Sequence, residues 1–437
     1  MELKKIKLSG FANIESIDIE LGKLNALVAL NNYGKSNVLD AIEFGIDFII
    51  QPLPVKSRMM AYRPVIPINS HIDKLPFSFE VGINSNFQNE EHSIVYGFSF
   101  EWIKNDKGKG QKIKEEYLKV KSNKVDSKYK TILNRNLEKT LYLSSQTGRC
   151  DKILKVQKNE LAINKLLNFD DLFYWDVIKA INTLSIAQVD TLQNPDGIFG
   201  SIVIKGKEDD IVKNDYSVSL GETSNAGFFI YSLMKRNPST YELFKDSVKT
   251  LLPSIEDFEP IEIDLKSSVT FKNEKPKIPL DFPEKLYDIR VKETNTNQQT
   301  SIGRLSSGSQ KLFYVLALTI AAEHNKTPLI TFEELENSIH PGLLQKLLII
   351  IDGLTDKTKV LLSSHSPYLV QYLDINKIKI GLPNSKGLAV FKEIKKTKFT
   401  KVITIAEEEG ISVGDVIFDK MIESASGESD LLNELCK

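Results

Sequence analysis

Cysteine is nearly absent from this sequence: Cys150 and Cys436 are its two, and they lie far apart. Two cysteines so placed do not make a disulfide framework, and they point to a reducing compartment. No run approaches the ~18 consecutive apolar residues of a membrane-spanning helix. The opening Met1-Glu-Leu-Lys-Lys-Ile-Lys-Leu8 lacks the unbroken apolar stretch of a signal peptide. Neither sign of charge dominates: 57 Lys and Arg against 58 Asp and Glu leave a net charge of -1. Such a chain has no global basic field to attract nucleic acid, so any DNA contact is expected to be local or to belong to a partner. No apolar heptad persists through three repeats, which excludes a long coiled-coil arm. A cytoplasmic protein without membrane contact is expected. Its 437 residues, 41% hydrophobic, provide core for one large or two ordinary domains.

What is present begins with short alternating bursts. Ile6 and Leu8, then Ile14, Ile17 and Ile19, flank the turn residues Ser9-Gly10 and predict a two-stranded antiparallel start. Leu24-Asn-Ala-Leu-Val-Ala-Leu30 is apolar nearly throughout, as in a buried central strand. It runs directly into Asn31-Asn-Tyr-Gly-Lys-Ser36 and then a helical pattern carried by Val38, Leu39, Ile42, Ile46 and Ile49. Strand, tight loop, Gly-Lys-Ser and helix form the context of a phosphate-binding loop. Backbone N–H groups at the helix start converge on phosphate, Lys35 reaches the β and γ oxygens, and the Ser36 hydroxyl can ligate Mg²⁺. The usual pattern has glycine where this chain has Ala29. A positive φ at that residue would strain an alanine and weaken binding. Asn32 replaces another common glycine, and Asn tolerates positive φ well.

Pro52, Pro54, Pro64 and Pro67 punctuate a surface connection. Alternation returns in Phe77–Val81, Ile94–Trp102 and Lys114–Val120, an antiparallel meander with a turn at 105–110. From about 121 to 185 the pattern reads as helical and charged. Lys119, Lys121, Lys124, Lys128 and Lys130 could be a phosphate-backbone patch; interleaved acids and polar residues favour a solvated face. Residues 186–225 read as loops around one strand, Ser201–Ile204. A helix pair follows at 226–235 and 240–252, broken by Asn237-Pro-Ser239, and then strands near Ile261–Ile263 and Tyr287–Val291.

Leu305-Ser-Ser-Gly-Ser-Gln310 opens a helix that is apolar almost all round and therefore buried. Its Ser- and Gly-rich start offers hydroxyls, amides and a positive dipole end to an anion. Next, Leu329–Phe332 runs into Glu333 and Glu334, as a buried parallel strand delivers acids to a sheet edge. Another helix starts at His340-Pro341. Val360–Ser364 then forms a strand ending in His365. Three parallel strands delivering Lys35 and Ser36, Glu333 and Glu334, and His365 to one edge make a nucleotide site.

These motifs resemble those of ATP-binding-cassette-type ATPases of the RecF/SMC/OLD group, in the compact bacterial form known as AAA-family ATPases. The resemblance covers roughly residues 1–50 and 225–395, with Tyr96-Gly-Phe98 and Glu116-Tyr-Leu118 in the meander. Asn31-Asn-Tyr-Gly-Lys-Ser-Asn37 resembles Walker A, and Leu305–Gln310 the signature loop. Phe332–Pro341 resembles Walker B with its D-loop, and Ser363-Ser-His-Ser-Pro367 the switch-histidine loop. The implied fold class is α/β: a P-loop NTPase with an ABC-type head, its central mostly parallel sheet joined to an antiparallel β lobe, and an α-helical insertion. Head halves at 1–120 and 226–437 would flank a mainly helical insertion at 121–225.

By the same resemblance, Asn31, Asn32, Tyr33, Gly34, Lys35, Ser36 and Asn37 hold ATP. Ser36 and Glu333 hold Mg²⁺, Glu334 orients the attacking water, and His365 contacts the γ-phosphate. Leu335 stands where proline is usual. The glutamine loop has two candidates, Gln88 and Gln188, and is left unassigned. Ser306, Ser307 and Gly308 would complete the ATP site of a second copy, giving a homodimer or higher even-numbered oligomer. Asn337, Ser338 and His340 would face that copy. The stretch after His365 ends in a polar tail with a short segment, Gly414–Phe418, and is short for a second catalytic domain. The expected function is the ATP-hydrolysing sensor or scaffold of an antiphage defence module, partnered with a separate effector nuclease or toxin. The alternatives are a RecF-like ATPase binding DNA across the dimer and a nucleotide-gated binding module with little turnover.

Overall fold

The computed structural model describes residues 1–104, 112–169, 171–189, 226–264, 285–382, 384–427 and 431–436. The chain divides into two compact units. The first is Met1–Ile186 with Lys326–Glu334 and Lys357–Lys437; the second is Ala187–Asn325 with Leu335–Asp356.

The first unit contains an antiparallel sheet and a mostly parallel one. In the antiparallel sheet the order is β2 (Ile14–Glu20), β1 (Glu2–Phe11), β4 (Phe77–Phe87), β5 (Glu90–Phe100), β6 (Ile113–Ser122), β7 (Lys130–Arg135), β8 (Thr140–Tyr142), β9 (Lys152–Ile153). Alternate residues such as Phe77, Phe79, Val81 and Ile83 are buried, as the period of a strand requires. Against that face lies the helix Lys35–Ile50. Phe44 meets Phe77 edge-on at 5.1 Å, Phe48 stacks on Phe100 at 4.7 Å, and Gly45 sits beneath Phe79 where a Cβ would come within 2.3 Å of the ring. The helix that begins at the candidate phosphate loop is thereby fixed to the meander along its apolar face.

The stretch expected to be mainly helical from 121 departs from that reading. Strands β7, β8 and β9 extend the meander through Ile153, and the described helices there are short, Ala162–Leu166 and Trp175–Asn182. The lysines that gave a helical impression lie on β6 and β7 or in the connection between them. Lys119 sits 5.1 Å over the Tyr117 ring, Lys121 6.0 Å over Tyr129, and Lys124 pairs with Glu90. The Pro-rich connection holds a short helix, Leu53–Met59. The turn at 105–110 and the strand Ser201–Ile204 lie outside the described residues.

In the second sheet the order β14 (Leu329–Glu333), β15 (Lys359–Ser364), β3 (Leu24–Val28), β16 (Ile378–Leu382) is parallel throughout, and β17 (Val390–Glu393) adds antiparallel. Every residue of β3 and β15 is buried, which explains why neither alternates. The tail read as polar is folded: helices Lys396–Glu409 and Val413–Ser426 follow, the latter opened by a Ser412–Asp415 capping box and burying Val416, Ile417, Phe418 and Met421.

The second unit contains the helices Ala226–Arg236, Pro238–Leu251, Ser307–His324 and Pro341–Leu354, with antiparallel strands β11 (Ile255–Asp264), β12 (Lys285–Glu293) and β13 (Thr300–Ser301). Strand β10 (Ile186–Val189) runs through the division between the units. Phe258 packs edge-on against Phe313 at 4.9 Å and Phe244 at 5.6 Å, centring the core of this unit.

Candidate nucleotide site

In the first unit, β14, β15 and β3 lie side by side and parallel, so their carboxyl ends open on one edge. There β3 turns into its helix through Asn32 at φ 68 and Gly34 at φ 85. Asn adopts the left-handed region more readily than other non-glycine residues, and Gly adopts it without penalty. A Cβ on Gly34 would lie 2.8 Å from Ala389 Cβ and 2.9 Å from Asn13 Oδ1, so glycine is required there twice over. No side chain caps the start of helix Lys35–Ile50, the end of a helix that favours an anion. The Lys35 side chain is buried, and its amine donates to the carbonyls of Ala29 at 2.9 Å and Leu30 at 3.0 Å. Burial pushes the Tyr33 hydroxyl above its ordinary range.

The two adjacent acids face different partners. Glu333 ends β14 in register with Ser363, and its Oε1 accepts from the Ser36 hydroxyl. Glu334 enters the left-handed region at φ 49, donates its N–H to the Ser363 carbonyl at 2.9 Å, and places Oε1 3.3 Å from His365 Nδ1. A hydroxyl beside a carboxylate is a hard oxygen pair suited to Mg²⁺. Among the described residues no group of three His, Cys, Asp or Glu side chains could hold an ion. A Mg²⁺ bound here would be held by the Ser36 hydroxyl and the Glu333 carboxylate.

Asn13, at the turn between β1 and β2, was not among the residues the sequence singled out. Its Oδ1 accepts from Asn37 Nδ2 at 2.7 Å, bracing the helix start; in the sequence it is one Asn in a turn. Asn13, Asn32 and Tyr33 also line a cavity of about 710 Å³ with Asn384, Ser385 and Ser426, a wall of neutral amides and hydroxyls. The concern over Ala29 is corrected: its φ is not positive, and it is fully buried without backbone strain. Gln88 and Asn89 form the two-residue turn between β4 and β5, at φ 50 and 62, which gives Gln88 a turn role. Gln188 lies on β10.

Ser306, Ser307 and Gly308 belong to the second unit, at the start of helix Ser307–His324. Ser306 Oγ caps it by accepting from Ser309 N at 3.2 Å. A Cβ on Gly308 would fall 2.5 Å from the Ser338 carbonyl oxygen, and the buried Lys311 donates to the Asn337 carbonyl at 2.8 Å. The expected signature loop and D-loop are thus locked together. His340 caps the next helix through Nδ1, which accepts from Gly342 N at 3.2 Å.

Parallel strands presenting a Gly-Lys-Ser loop, paired acids and a histidine at one edge, beside an antiparallel sheet, form an α/β fold of the P-loop ATPase class. Over residues 24–371 the chain matches the family described as "AAA domain, putative AbiEii toxin, Type IV TA system", and it belongs to that family. None of the curated proteins matches it in sequence. Among solved structures, the SMC head bound to the C-winged helix domain of ScpA is 14% identical with a TM-score of 0.48, covering 92% of this chain and all of that one. The SMC head domain from Thermotoga maritima is 13% identical with a TM-score of 0.40, covering 90% of this chain and 100% of that one. An Smc head with an extended coiled coil, bound to the C-terminal domain of ScpA derived from Pyrococcus furiosus, is 13% identical with a TM-score of 0.41, covering 93% and 99%. No helix among the described residues is long and apolar enough to cross a membrane.

Proposed function

We propose that this chain binds ATP with Mg²⁺ at the edge of β3, β14 and β15 and hydrolyses it slowly within a homodimer. The observation that carries this reading is the separation of the two acids, Glu333 to the Ser36 hydroxyl and Glu334 to His365. Helix amides and Lys35 take the phosphates, Ser36 and Glu333 the metal, and Glu334 the attacking water, with His365 against the γ-phosphate. The neutral cavity beside Asn32 and Tyr33 has room for the nucleoside. Ser306, Ser307 and Gly308 of one copy complete the site of another, so ATP joins the dimer and hydrolysis releases it.

In the cell this ATPase serves as the sensor or scaffold of a bacterial defence module whose effector, a separate nuclease or toxin, acts in trans. The family description, which names a toxin of a toxin–antitoxin system, supports a role of this kind. The test is phosphate release by purified protein, with and without DNA, together with co-purification from the native host. Turnover lost in Lys35→Ala and an effector recovered with the chain support the reading. Strong DNA stimulation without an effector favours DNA maintenance instead.

A further inference from the structure

The loop between β3 and its helix has alanine where the phosphate-loop pattern has glycine, and the space for that methyl group comes from another strand. Ala29 follows β3 directly and is fully buried, its N–H donating to the Ser364 carbonyl at 3.2 Å. On its other side β16 pairs with β3 in parallel, Ile378 with Ala26, Lys379 with Leu27 and Ile380 with Val28. Continuing that register puts Gly381 beside Ala29. A Cβ built on Gly381 would lie 2.3 Å from Ala29 Cβ, 3.5 Å from Ala29 Cα and 3.3 Å from the Phe391 ring. Two non-bonded carbons cannot approach to 2.3 Å, so one of these two positions must lack a side chain.

Backbone conformation does not explain the glycine. Gly381 has no positive φ, and any residue could adopt its extended backbone. What excludes a side chain is the Ala29 methyl. Ala29 in turn sits at the base of the loop: its carbonyl accepts from the Lys35 amine at 2.9 Å, so moving it moves the anchor of the loop lysine.

We infer that Gly381 is a positioning residue for the nucleotide site, matched to Ala29, so that the glycine missing from the loop is replaced by one on the neighbouring strand. The pair holds the base of the loop at its proper depth between β15 and β16. This inference rests on the proposed reading of the loop as an ATP site.

The test is a double-mutant cycle on the full chain, using Ala29→Gly, Gly381→Ala and the two together. Binding of a fluorescent ATP analogue is measured alongside thermal unfolding. Gly381→Ala should bind roughly tenfold more weakly or worse, within the coupling range of residues in contact. The double variant should return to within about threefold of wild type. If Gly381→Ala does not fold, the double variant should fold and bind. Wild-type binding by Gly381→Ala overturns the inference, as does a double variant no better than Gly381→Ala in binding and stability. A wild-type chain that does not bind the analogue refutes the ATP-site reading instead. The pairing is then judged by whether Ala29→Gly restores the melting temperature that Gly381→Ala lowers, and absence of that recovery overturns it.

Discussion

Glu333 and Glu334 are adjacent in the chain and turned to different partners, Glu333 to the Ser36 hydroxyl and Glu334 to His365 Nδ1 at 3.3 Å. The separation is made by backbone: Glu333 still pairs with Ser363 in the sheet, while Glu334 has left it at φ 49. A non-glycine residue in that region costs on the order of 1 kcal/mol, a cost that recurs where a side chain must be aimed. The two glutamine substitutions should therefore behave differently. Glu334→Gln should keep ATP binding and lose roughly 10²–10⁴-fold in turnover, the range of a general base. Glu333→Gln should weaken the Mg²⁺-dependent part of binding. Equilibrium binding with and without Mg²⁺, beside single-turnover hydrolysis, checks both.

Gly308 is confined by the Ser338 carbonyl, 2.5 Å from where its Cβ would be. Gly308→Ala should push the signature loop off the D-loop and abolish hydrolysis that depends on a second copy. It should leave ATP binding by the isolated loop of Lys35 unchanged. Parallel binding and turnover assays distinguish this outcome from general unfolding, in which both are lost.

Lys56 is buried and donates to the carbonyls of Ile49 at 3.0 Å and Gln51 at 2.6 Å, at the carboxyl end of the phosphate-loop helix, and to Asn164 Oδ1 at 2.6 Å. Desolvation lowers its pKa from 10.5 to about 8, against the opposing attraction of Glu116 and Glu160. Between those values the unfolded chain binds the proton more often than the folded one, so this group adds stability as pH rises from about 8 to 10.5. Melting temperatures of wild type and Lys56→Met across that window should diverge in favour of wild type. Parallel curves would contradict the assignment.

Glu116 is fully buried and is met by four donors. The amides of Ala162 at 2.7 Å and Ile163 at 2.8 Å, Tyr96 OH at 3.1 Å and Arg135 at 3.6 Å converge on it. Desolvation raises its pKa, and the backbone donors oppose that shift. Glu116→Ala would leave Arg135 buried without this carboxylate and should cost about 3–5 kcal/mol in chemical denaturation. A change within the error of the measurement would show that the network is dispensable.

Periodicity served best where an element presents a single simple pattern. The apolar runs of β3 and β15 and the acid-ended β14 read as parallel strands because both faces of each are covered. The continuation of the meander past residue 121 was hidden because β7, β8 and β9 are short and follow a lysine-rich connection. Contacts between distant positions left no local signal at all. Asn13 braces Asn37 from a turn, and Gly381 makes room for Ala29 from a strand more than three hundred residues away. Ala29 looked like a defect because the compensating glycine has no fixed spacing from the motif.

The central claim is that ATP joins two copies of this chain. Light scattering on Glu334→Gln, which should bind nucleotide without turning it over, tests it most directly. With Mg²⁺ and ATP the mass should rise from the 49.4 kDa of one chain to twice that value, and it should fall back when Lys35→Ala or Gly308→Ala is added. A mass that does not change with ATP, in protein shown to have bound it, would contradict the account.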